Sequence, residues 1–325
     1  MIHVNRPNIA VLDAATFGDD LDLSPLASIG NLTVHRLSPP DTLPERLAGA
    51  DIAVLNKVKL GPRELAGASR LRLICVFATG FDNIDVGYCR SRGIAVCNVV
   101  GYSTSGVAQL TVATALSLVC RLREYTRYTA DGTYSAGGSA NILKPVFHEL
   151  DGMTWGVAGY GNIGRRVGSI ASALGCRVIA WRRTPTPEET ASGLCVGIDA
   201  LCRESDIISV HLPLNDGTRG LFSREMIAMM KPGAVFINVA RGAVADEEAL
   251  ADAVISGHLG GLGADVYSTE PFREDHPFFA IRDLDNVILT PHMAWGAYES
   301  RLRCLDEVVL NINAFLSGER RSRVD

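Results

Sequence analysis

The 325-residue sequence lacks several features that would place it in other protein classes. No apolar run approaches the length of a membrane span, and the first residues alternate polar and apolar side chains without the apolar core of a signal peptide. Basic residues cluster only in the short tail 320–323, and the net charge is −5. We therefore expect a cytoplasmic protein with neither a nucleic acid nor a membrane as its partner.

Disulfide and metal-site patterns are also absent. The eight cysteines are scattered, with no C-x-x-C pair and no His-rich spacing. In a chain of this length, that pattern indicates reduced and mostly buried thiols and predicts no metal site. There are no internal repeats and no low-complexity tract, and the length is sufficient for two domains with buried cores.

Two series of short apolar runs alternate with helical patterns. The runs of the first series are at 8–12, 32–35, 51–55, 71–76 and 94–97, and those of the second are at 153–158, 177–181, 206–214, 234–241, 261–266 and 287–292. This rhythm predicts an α/β fold with two parallel sheets covered by helices. Because the helical pattern 297–316 is expected to return to the first half, we predict a discontinuous domain, 1–102 with 296–325, and a second domain, 103–295.

The segment between the two series combines a helix and an irregular arm. Residues 103–125 have one long helical pattern, and residues 131–150 are rich in Gly and Ser. The arm could be a disordered linker. Its aromatic and apolar members, such as Tyr134 and Phe147, favour packing against another subunit.

A glycine pattern follows the first apolar run of the second series. Gly159, Gly161 and Gly164 form G-x-G-x-x-G between this strand pattern and a helical one. We expect Gly159 to make a tight turn, Gly161 to leave room for a pyrophosphate, and Gly164 to let the helix pack on the strand. The helix N-terminus then favours the phosphate charge. The alternative is a plain tight turn, but the flanking strand and helix favour a dinucleotide site.

The residues after the next strand indicate which dinucleotide binds. A site that prefers NAD(H) usually places Asp or Glu there to bind the ribose hydroxyls, whereas this chain has Arg182, Arg183 and Thr184. Guanidinium groups pair with phosphate oxygens, so we predict a preference for NADP(H) over NAD(H). NAD(H) use remains possible, and the two arginines could also be solvated loop residues.

Three further strand ends of the second series carry polar side chains. Arg241, Glu270 and His292 each follow an apolar run. Singly, they could be a surface arginine, a turn glutamate and a histidine bonded to backbone. At one rim, they would supply a cation for a carboxylate, a titratable imidazole and a carboxylate that holds the imidazole charged. That set suits proton transfer coupled to hydride transfer next to a carboxylate.

The first series has no phosphate loop, so its expected role is to bind substrate or a partner. Thr79 and Gly80 lie in the loop after its fourth strand pattern, where backbone N–H groups could bind an anion. Taken alone, this segment favours a plain glycine turn.

The motifs together resemble a known family. They comprise residues 159–164, Asn238-Val239-Ala240-Arg241-Gly242, residues 265–271 and Thr290-Pro291-His292. The sequence closely resembles the D-isomer-specific 2-hydroxyacid dehydrogenases over nearly its whole length. Residues 99–109 and 291–295 look most like the glycerate dehydrogenases, also called hydroxypyruvate reductases.

The resemblance implies two Rossmann-like domains, a flavodoxin-like substrate domain and a doubly wound dinucleotide-binding domain, in a homodimer. It implies hydride transfer between NAD(P)H and a small 2-keto acid, such as hydroxypyruvate or glyoxylate. D-Lactate-type and other substrates of the family remain open, as does a dinucleotide-sensing corepressor. The complete set of Arg241, Glu270 and His292 favours an enzyme.

Roles for individual residues follow from the same resemblance. Arg241 would bind the substrate carboxylate, His292 would be the acid/base, and Glu270 would orient His292. Thr79 and Gly80 would hold the carboxylate through backbone N–H groups, and Trp295 would line the substrate pocket. The implied cofactor site comprises Thr104, Gly159, Tyr160, Gly161, Asn162, Ile163, Gly164, Arg182, Arg183, Thr184, His211, Pro213, Thr218, Val239, Ala240, Arg241, Asp265 and His292.

Overall fold

The chain forms two compact α/β units in a computed structural model that describes residues 6–325. One unit comprises the described part of Met1–Ser103 together with Gly296–Asp325, and the other is Thr104–Trp295. Each unit contains one sheet in which all neighbouring strands are parallel. The two parallel sheets predicted from the sequence are thereby confirmed.

The first unit has a five-stranded sheet in the order β2-β1-β3-β4-β5. Its strands are β1 (Asn8–Val11), β2 (Asn31–Val34), β3 (Ile52–Leu55), β4 (Leu73–Val76) and β5 (Ala95–Cys97), its helices are α1 (Ser24–Ile29), α2 (Leu43–Ala48), α3 (Pro62–Leu65) and α4 (Val86–Ser91), and 3₁₀ turns lie at Ala14–Thr16 and Pro40–Thr42. The order is the flavodoxin-like 2-1-3-4-5. Strands β3 and β4 are buried at every position, as expected for the centre of a parallel sheet.

The second unit has a six-stranded sheet in the order β11-β10-β9-β8-β6-β7. Its strands are β6 (Thr154–Ala158), β7 (Arg177–Trp181), β8 (Ile207–Val210), β9 (Ala234–Asn238), β10 (Leu259–Ala264) and β11 (Val287–Leu289), its helices are α5 (Thr104–Val119), α6 (Leu122–Ala130), α7 (Thr133–Ala136), α8 (Asn162–Ala173), α9 (Pro187–Ala191), α10 (Ile198–Glu204), α11 (Arg224–Ala228) and α12 (Glu247–Ile255), and 3₁₀ turns lie at Gly242–Val244 and Pro277–Phe279.

An isolated parallel bridge between Ala180 and Cys195 lies beyond the β7 edge of this sheet. Counting that bridge as a reduced third strand gives the Rossmann order 3-2-1-4-5-6, with β11 added at the far edge. The direction in which strands are added reverses between β6 and β8. The carboxyl ends of these two strands therefore mark the switch point at which α/β sheets bind ligands.

Apolar residues cover both faces of the second sheet. Trp155 and Val157 of β6 belong to one buried cluster, whereas Ala158 belongs to the other, because successive side chains of a strand point to opposite faces. The indole Nε1 of Trp155 donates to the Ser209 Oγ at 2.9 Å, which satisfies its polar atom inside the core.

The long helix expected over residues 103–125 is instead two helices, α5 and α6, which meet at an angle of 65°. Arg121 adopts a left-handed conformation, with φ at 53°, and that conformation cannot continue a right-handed helix. The apolar pattern runs on through this break, so periodicity did not reveal it. The arm at 131–150 contains α7 and is otherwise irregular.

No single helix among residues 6–325 is both long and apolar enough to cross a membrane; α5 and α6 reach that length and composition only as a bent pair.

The C-terminal segment belongs to the first unit. Helix α13 (Tyr298–Leu316) lies against it, with Arg303 Nε donating to the Tyr102 carbonyl oxygen at 3.0 Å. The last residues then run beside β5. Val324 N donates to the Val96 carbonyl oxygen at 2.9 Å, and Arg323 pairs with Cys97 in an antiparallel bridge.

Candidate active site

The glycine loop connects β6 to α8, and its three glycines have different local reasons to be glycine. Gly159 has φ at 101°, and a Cβ there would lie 2.6 Å from the His211 carbonyl oxygen. A Cβ on Gly164 would overlap the Gly159 carbonyl oxygen, so this glycine lets α8 pack on the strand. A Cβ on Gly161 would meet nothing within 4 Å, which leaves open space beside the start of α8. The loop has the shape of a phosphate cradle.

Three of the residues predicted to bind the cofactor, Gly161, Asn162 and Ile163, lie at the start of α8. Gly161 is the N-cap, and Asn162 and Ile163 are the first helical residues. The first N–H groups of a helix have no acceptor inside the helix, so they face the space beside Gly161. Tyr160 is partly buried, and the Arg165 guanidinium lies 5.0 Å from the centre of its ring.

Arg182, one of the two arginines predicted to bind a 2′-phosphate, pairs with a carboxylate. Arg182 Nη1 lies 3.2 Å from Glu189 Oε1, and Arg165 Nη1 lies 3.0 Å from the same oxygen. Glu189 Oε2 accepts the Thr186 N–H at 2.9 Å. The Thr186 N–H and the two guanidinium groups hold the pKa of Glu189 below its usual value against the effect of burial. Arg183 and Thr184 are exposed.

Glu189 was not singled out from the sequence. Its local role was visible, because Thr186-Pro187-Glu188-Glu189 has the T-x-x-E spacing of a capping box, and the structure forms that box at the start of α9. Its pairing with Arg165 joins two distant segments and has no local signal.

The end of β8 places a histidine with one unused nitrogen at the switch point. Ser209 Oγ accepts the Trp155 N–H at 2.9 Å and also lies within hydrogen-bond distance of His211 Nε2, at 3.0 Å. The other ring nitrogen, Nδ1, is buried and has no hydrogen-bond partner among the described residues. Burial lowers the pKa of His211 to about 3, so the ring is neutral.

Thr218 closes the loop that begins at Pro213. Its hydroxyl donates to the Pro213 carbonyl oxygen at 2.6 Å and accepts the Asn215 N–H at 2.9 Å. The Thr218 hydroxyl therefore sets the shape of the loop.

The turn after β9 is braced from within. The Asn238 side chain accepts the Ala240 N–H at 3.0 Å and donates to the Arg241 carbonyl oxygen at 2.9 Å. Arg241 Nη1 donates to the Ala240 carbonyl oxygen at 2.8 Å, and Val239 is partly buried. These bonds fix the backbone from which the Arg241 side chain extends.

The Arg241 turn packs directly on the loop that carries Glu270. A Cβ on Gly242 would overlap the backbone of Tyr267 and Ser268. Only glycine allows this approach, so the structure brings the Arg241 and Glu270 segments together. This contact was not expected from the sequence.

Glu270 and His292 form a short hydrogen bond. His292 Nδ1 lies 2.6 Å from Glu270 Oε2, and Glu270 Oε1 accepts the Tyr267 N–H at 3.1 Å. The side chains are 31% and 22% exposed, which leaves the pair reachable from solvent. An imidazole that bonds a carboxylate through one nitrogen can exchange a proton with a ligand through the other.

Asp265 holds the backbone around His292. Its two carboxylate oxygens accept the Thr290 hydroxyl at 2.6 Å and the N–H groups of Met293 and Ala294 at 2.8 and 2.9 Å. Burial raises the pKa of Asp265, and these three donors oppose that effect. The indole N–H of Trp295 donates to the His292 carbonyl oxygen at 3.0 Å.

Thr79, Gly80 and Thr104 are the remaining candidates. Thr79 and Gly80 belong to the first unit, where the Thr79 hydroxyl donates to the Val99 carbonyl oxygen at 2.7 Å. Thr104 is the first residue of α5. Within residues 6–325, no group of three His, Cys, Asp or Glu side chains could hold a metal ion.

Comparison with known proteins identifies related chains. A family model described as D-isomer specific 2-hydroxyacid dehydrogenase, NAD binding domain, matches residues 112–294. A hydroxypyruvate reductase of Blautia hydrogenotrophica is 34% identical over 316 residues, which cover 95% of this chain and 97% of the relative. A glycerate dehydrogenase of Methylorubrum extorquens is 33% identical over 286 residues, which cover 88% and 89%.

A solved structure with the same fold contains a nicotinamide cofactor. It is an acyclic imino acid reductase in complex with NADPH and D-Arg, with a TM-score of 0.84 and 28% identity over 98% of this chain and 100% of that one. The family model and the near-complete coverage by relatives, together with the glycine loop, support a nicotinamide dinucleotide as cofactor. This chain belongs to the D-isomer-specific 2-hydroxyacid dehydrogenase family.

Proposed function

We propose that this protein reduces hydroxypyruvate or glyoxylate with a reduced nicotinamide dinucleotide, and that Arg241, Glu270 and His292 carry the reaction. The proposal rests on the 2.6 Å contact between His292 Nδ1 and Glu270 Oε2. The loop that carries Glu270 is also the loop on which the Arg241 turn packs. The names of the hydroxypyruvate reductase and glycerate dehydrogenase relatives support the choice of substrate.

His292 supplies the proton in this proposal. The Glu270 carboxylate keeps a proton on Nδ1 in both charge states of the ring, so Nε2 carries the proton that is transferred. In the reducing direction, Nε2 donates to the keto oxygen as negative charge develops there. A proton taken up from solvent then restores the imidazolium, which the neighbouring carboxylate stabilises.

Arg241 binds the substrate. A guanidinium forms paired hydrogen bonds with a carboxylate, which fixes the orientation of the adjacent carbonyl group. The braces from Asn238 hold the turn, so the charge is aimed in advance. Backbone N–H groups at Thr79 and Gly80 would bind the same carboxylate from the first unit.

The second unit fits a dinucleotide. Gly161 and the start of α8 would hold the pyrophosphate, and the buried His211 Nδ1 lacks a hydrogen-bond partner among the described residues, as a ring nitrogen that meets a ligand would. When bound, the reduced nicotinamide supplies the hydride that the substrate carbon accepts. The chain's own residues bind and orient the substrate and move the proton.

We also propose that NADPH is preferred over NADH. Arg165, Arg182 and Arg183 carry three positive charges near the end of β7 and the start of α8, and Glu189 offsets one of them. The shared carboxylate orients two guanidinium groups while leaving an excess of positive charge. That excess suits a 2′-phosphate.

Two further parts of the proposal concern assembly and location. The exposed apolar side chains of the arm support a homodimer, and the cytoplasmic location expected from the sequence stays a prediction.

One set of assays tests the proposal. Purified protein is offered hydroxypyruvate, glyoxylate, pyruvate and an aromatic 2-oxoacid, each with NADPH and with NADH, while the absorbance of the reduced cofactor is followed. We expect the highest kcat/KM with hydroxypyruvate or glyoxylate and NADPH. Faster reduction of pyruvate would assign a D-lactate-type activity, equal or better use of NADH would reject the cofactor preference, and cofactor binding without turnover would favour a dinucleotide sensor.

A further inference from the structure

Glu247 and His276 are buried together beside the candidate active site, and neither is among the residues proposed to carry the reaction. Glu247 and His276 are each 8% exposed, and His276 Nε2 lies 3.0 Å from Glu247 Oε2. Charged and titratable side chains are rarely buried without a specific arrangement of partners. The pair therefore calls for a physical explanation.

The hydrogen bonds of His276 determine which of its nitrogens carries a proton. The Phe278 N–H donates to His276 Nδ1 at 3.1 Å, so Nδ1 acts as an acceptor. Nε2 then carries the proton and donates it to the Glu247 carboxylate. The ring cannot rotate to exchange its nitrogens without losing both bonds.

Glu247 receives two more hydrogen bonds, both from Ser268. The Ser268 N–H donates to Oε1 at 2.8 Å, and the Ser268 hydroxyl donates to Oε2. Three donors thus converge on one buried carboxylate. The rings of Tyr267, Phe272 and Phe278 lie 5.0–5.9 Å from the ring of His276. Exclusion of water by these rings strengthens each of the bonds.

We call the hydrogen-bonded group of Glu247, His276 and Ser268 the clamp. It connects the segment that carries Arg241 to the segment that carries Glu270. Glu247 begins α12, which follows Arg241 after one 3₁₀ turn, whereas Ser268 lies two residues before Glu270. The same two segments touch where Gly242 packs on the backbone of Ser268. Glu247 thus fastens a second point of contact between them, and the distance between the Arg241 and Glu270 backbones depends on both points.

We propose that Glu247 and His276 are positioning residues, which together hold Ser268 and thereby set the placement of Glu270, and through it His292, relative to Arg241. This inference rests on the proposed function, because it assigns the clamp to the same reaction. A displacement of Glu270 by less than 1 Å would lengthen its bond to His292, and such misplacement reduces turnover more than it reduces cofactor binding.

The main test replaces one oxygen of the carboxylate. Glu247→Gln keeps the size of the side chain but brings an NH₂ group towards either the Ser268 N–H or the His276 Nε2–H, both of which are donors. We expect kcat to fall at least tenfold with the fastest 2-oxoacid of the panel, KM to change less than threefold, and the Kd of NADPH to stay within twofold. Glu248→Gln is the matched control, because Glu248 is the exposed next residue and loses the same charge.

Two further variants keep the test decisive. Ser268→Ala removes only one hydroxyl, so it decides the matter if Glu247→Gln does not fold; we expect at least a threefold fall in kcat with unchanged NADPH binding. In Glu247→Gln/His276→Gln, the amide oxygen at 276 can accept from the amide at 247. We expect this double variant to recover at least threefold of the kcat that Glu247→Gln loses.

The outcomes separate the inference from the proposed function. Wild-type kcat in Glu247→Gln and Ser268→Ala would overturn the inference, and so would a parallel loss of kcat and NADPH affinity, which is the pattern of general damage. Absence of recovery in the double variant would reject the pairing of the two residues. If the wild-type protein reduces none of the 2-oxoacids, the proposed function fails and the inference fails with it.

Discussion

At the scale of single residues, His292 has a backbone conformation that its surroundings must maintain. Its φ is 52°, in the left-handed region that a non-glycine residue adopts at a cost of about 1–3 kcal/mol. Asp265 offsets that cost with hydrogen bonds to residues on both sides of His292. The strained turn directs the imidazole to Glu270, so we regard the strain as part of the site.

Removal of the His292 imidazole should abolish most of the activity. We expect His292→Ala and His292→Asn to lower kcat for 2-oxoacid reduction about 10²–10⁴-fold, the usual contribution of a general acid. Asparagine tolerates a left-handed φ, so the second variant separates loss of the acid from added strain. Steady-state kinetics give the result, with His258→Ala as the control histidine of the same unit. A loss below about tenfold in both variants would remove His292 from the proton transfer.

A single carbon added at Gly242 should lower both the stability and the activity of the protein. In Gly242→Ala, the new Cβ overlaps backbone atoms of Tyr267 and Ser268, and backbone cannot yield as a flexible side chain can. We expect the free energy of unfolding to fall by about 1–3 kcal/mol and kcat to fall at least tenfold. Urea unfolding and kinetics measure the two effects.

The matched control for this substitution is Gly197→Ala. A Cβ on Gly197 meets nothing within 4 Å, and the residue has an ordinary negative φ. A Gly242→Ala protein as stable and active as this control would show that the contact is not required.

At the scale of elements, the proposed site is assembled from loops that follow consecutive strands. Arg241 follows β9, the loop with Glu270 follows β10, and His292 follows β11. Because these strands are parallel neighbours, their carboxyl ends lie at one edge of the sheet, so sequence alone could predict that the three segments converge. In the structure, Glu270 and His292 are in contact, and their convergence with Arg241 around one substrate stays a prediction.

The long-range polar contacts could not be predicted from the sequence. The apolar runs predicted both sheets because burial on two faces demands them, and the glycine loop followed from local geometry. The pairing of Glu247 with His276 joins residues 29 positions apart, and no periodicity or motif indicates it. The break at Arg121 was missed for a related reason, since a left-handed arginine carries no compositional signal.

Asp325 links the C-terminal segment to the edge of β5, and its contribution to stability should depend on pH. Burial acts to raise its pKa, but bonds from Arg323 and the Val96 N–H prevail and hold it at about 2. A carboxylate with a lowered pKa stabilises the fold above its unfolded value near 4 and loses that effect as the pH falls towards 2.

We therefore expect Asp325→Asn to cost about 1 kcal/mol at pH 7, a figure reduced for solvent screening, and progressively less below pH 4. Urea unfolding at several pH values measures the difference. Asp41→Asn, which removes an exposed ion pair with Arg63, should change little at any pH. A cost for Asp325→Asn that is the same at pH 7 and at pH 2 would contradict the explanation by charge.

At the scale of the whole molecule, the arm at residues 131–150 has exposed apolar side chains that the fold of a single chain does not explain. Leu143, Val146 and Phe147 are 72%, 64% and 49% exposed, an apolar group without cover in a single chain. The arm is nevertheless held in place, because the Tyr125 hydroxyl donates to the Pro145 carbonyl oxygen at 2.5 Å and its ring contacts Phe147 edge-on. An ordered apolar surface of this kind suits a second copy of the chain, which would cover it by symmetry.

We expect the wild-type protein to be a dimer in solution and Leu143→Asp/Val146→Asp to be a monomer, because a charge buried without a partner in an apolar interface opposes association. Size-exclusion chromatography with light scattering measures the mass directly. Leu37→Asp is the control, since Leu37 is 61% exposed in the first unit, and this variant should remain dimeric. A monomeric wild type, or a dimer that persists in the arm variant, would show that these side chains do not form the subunit interface.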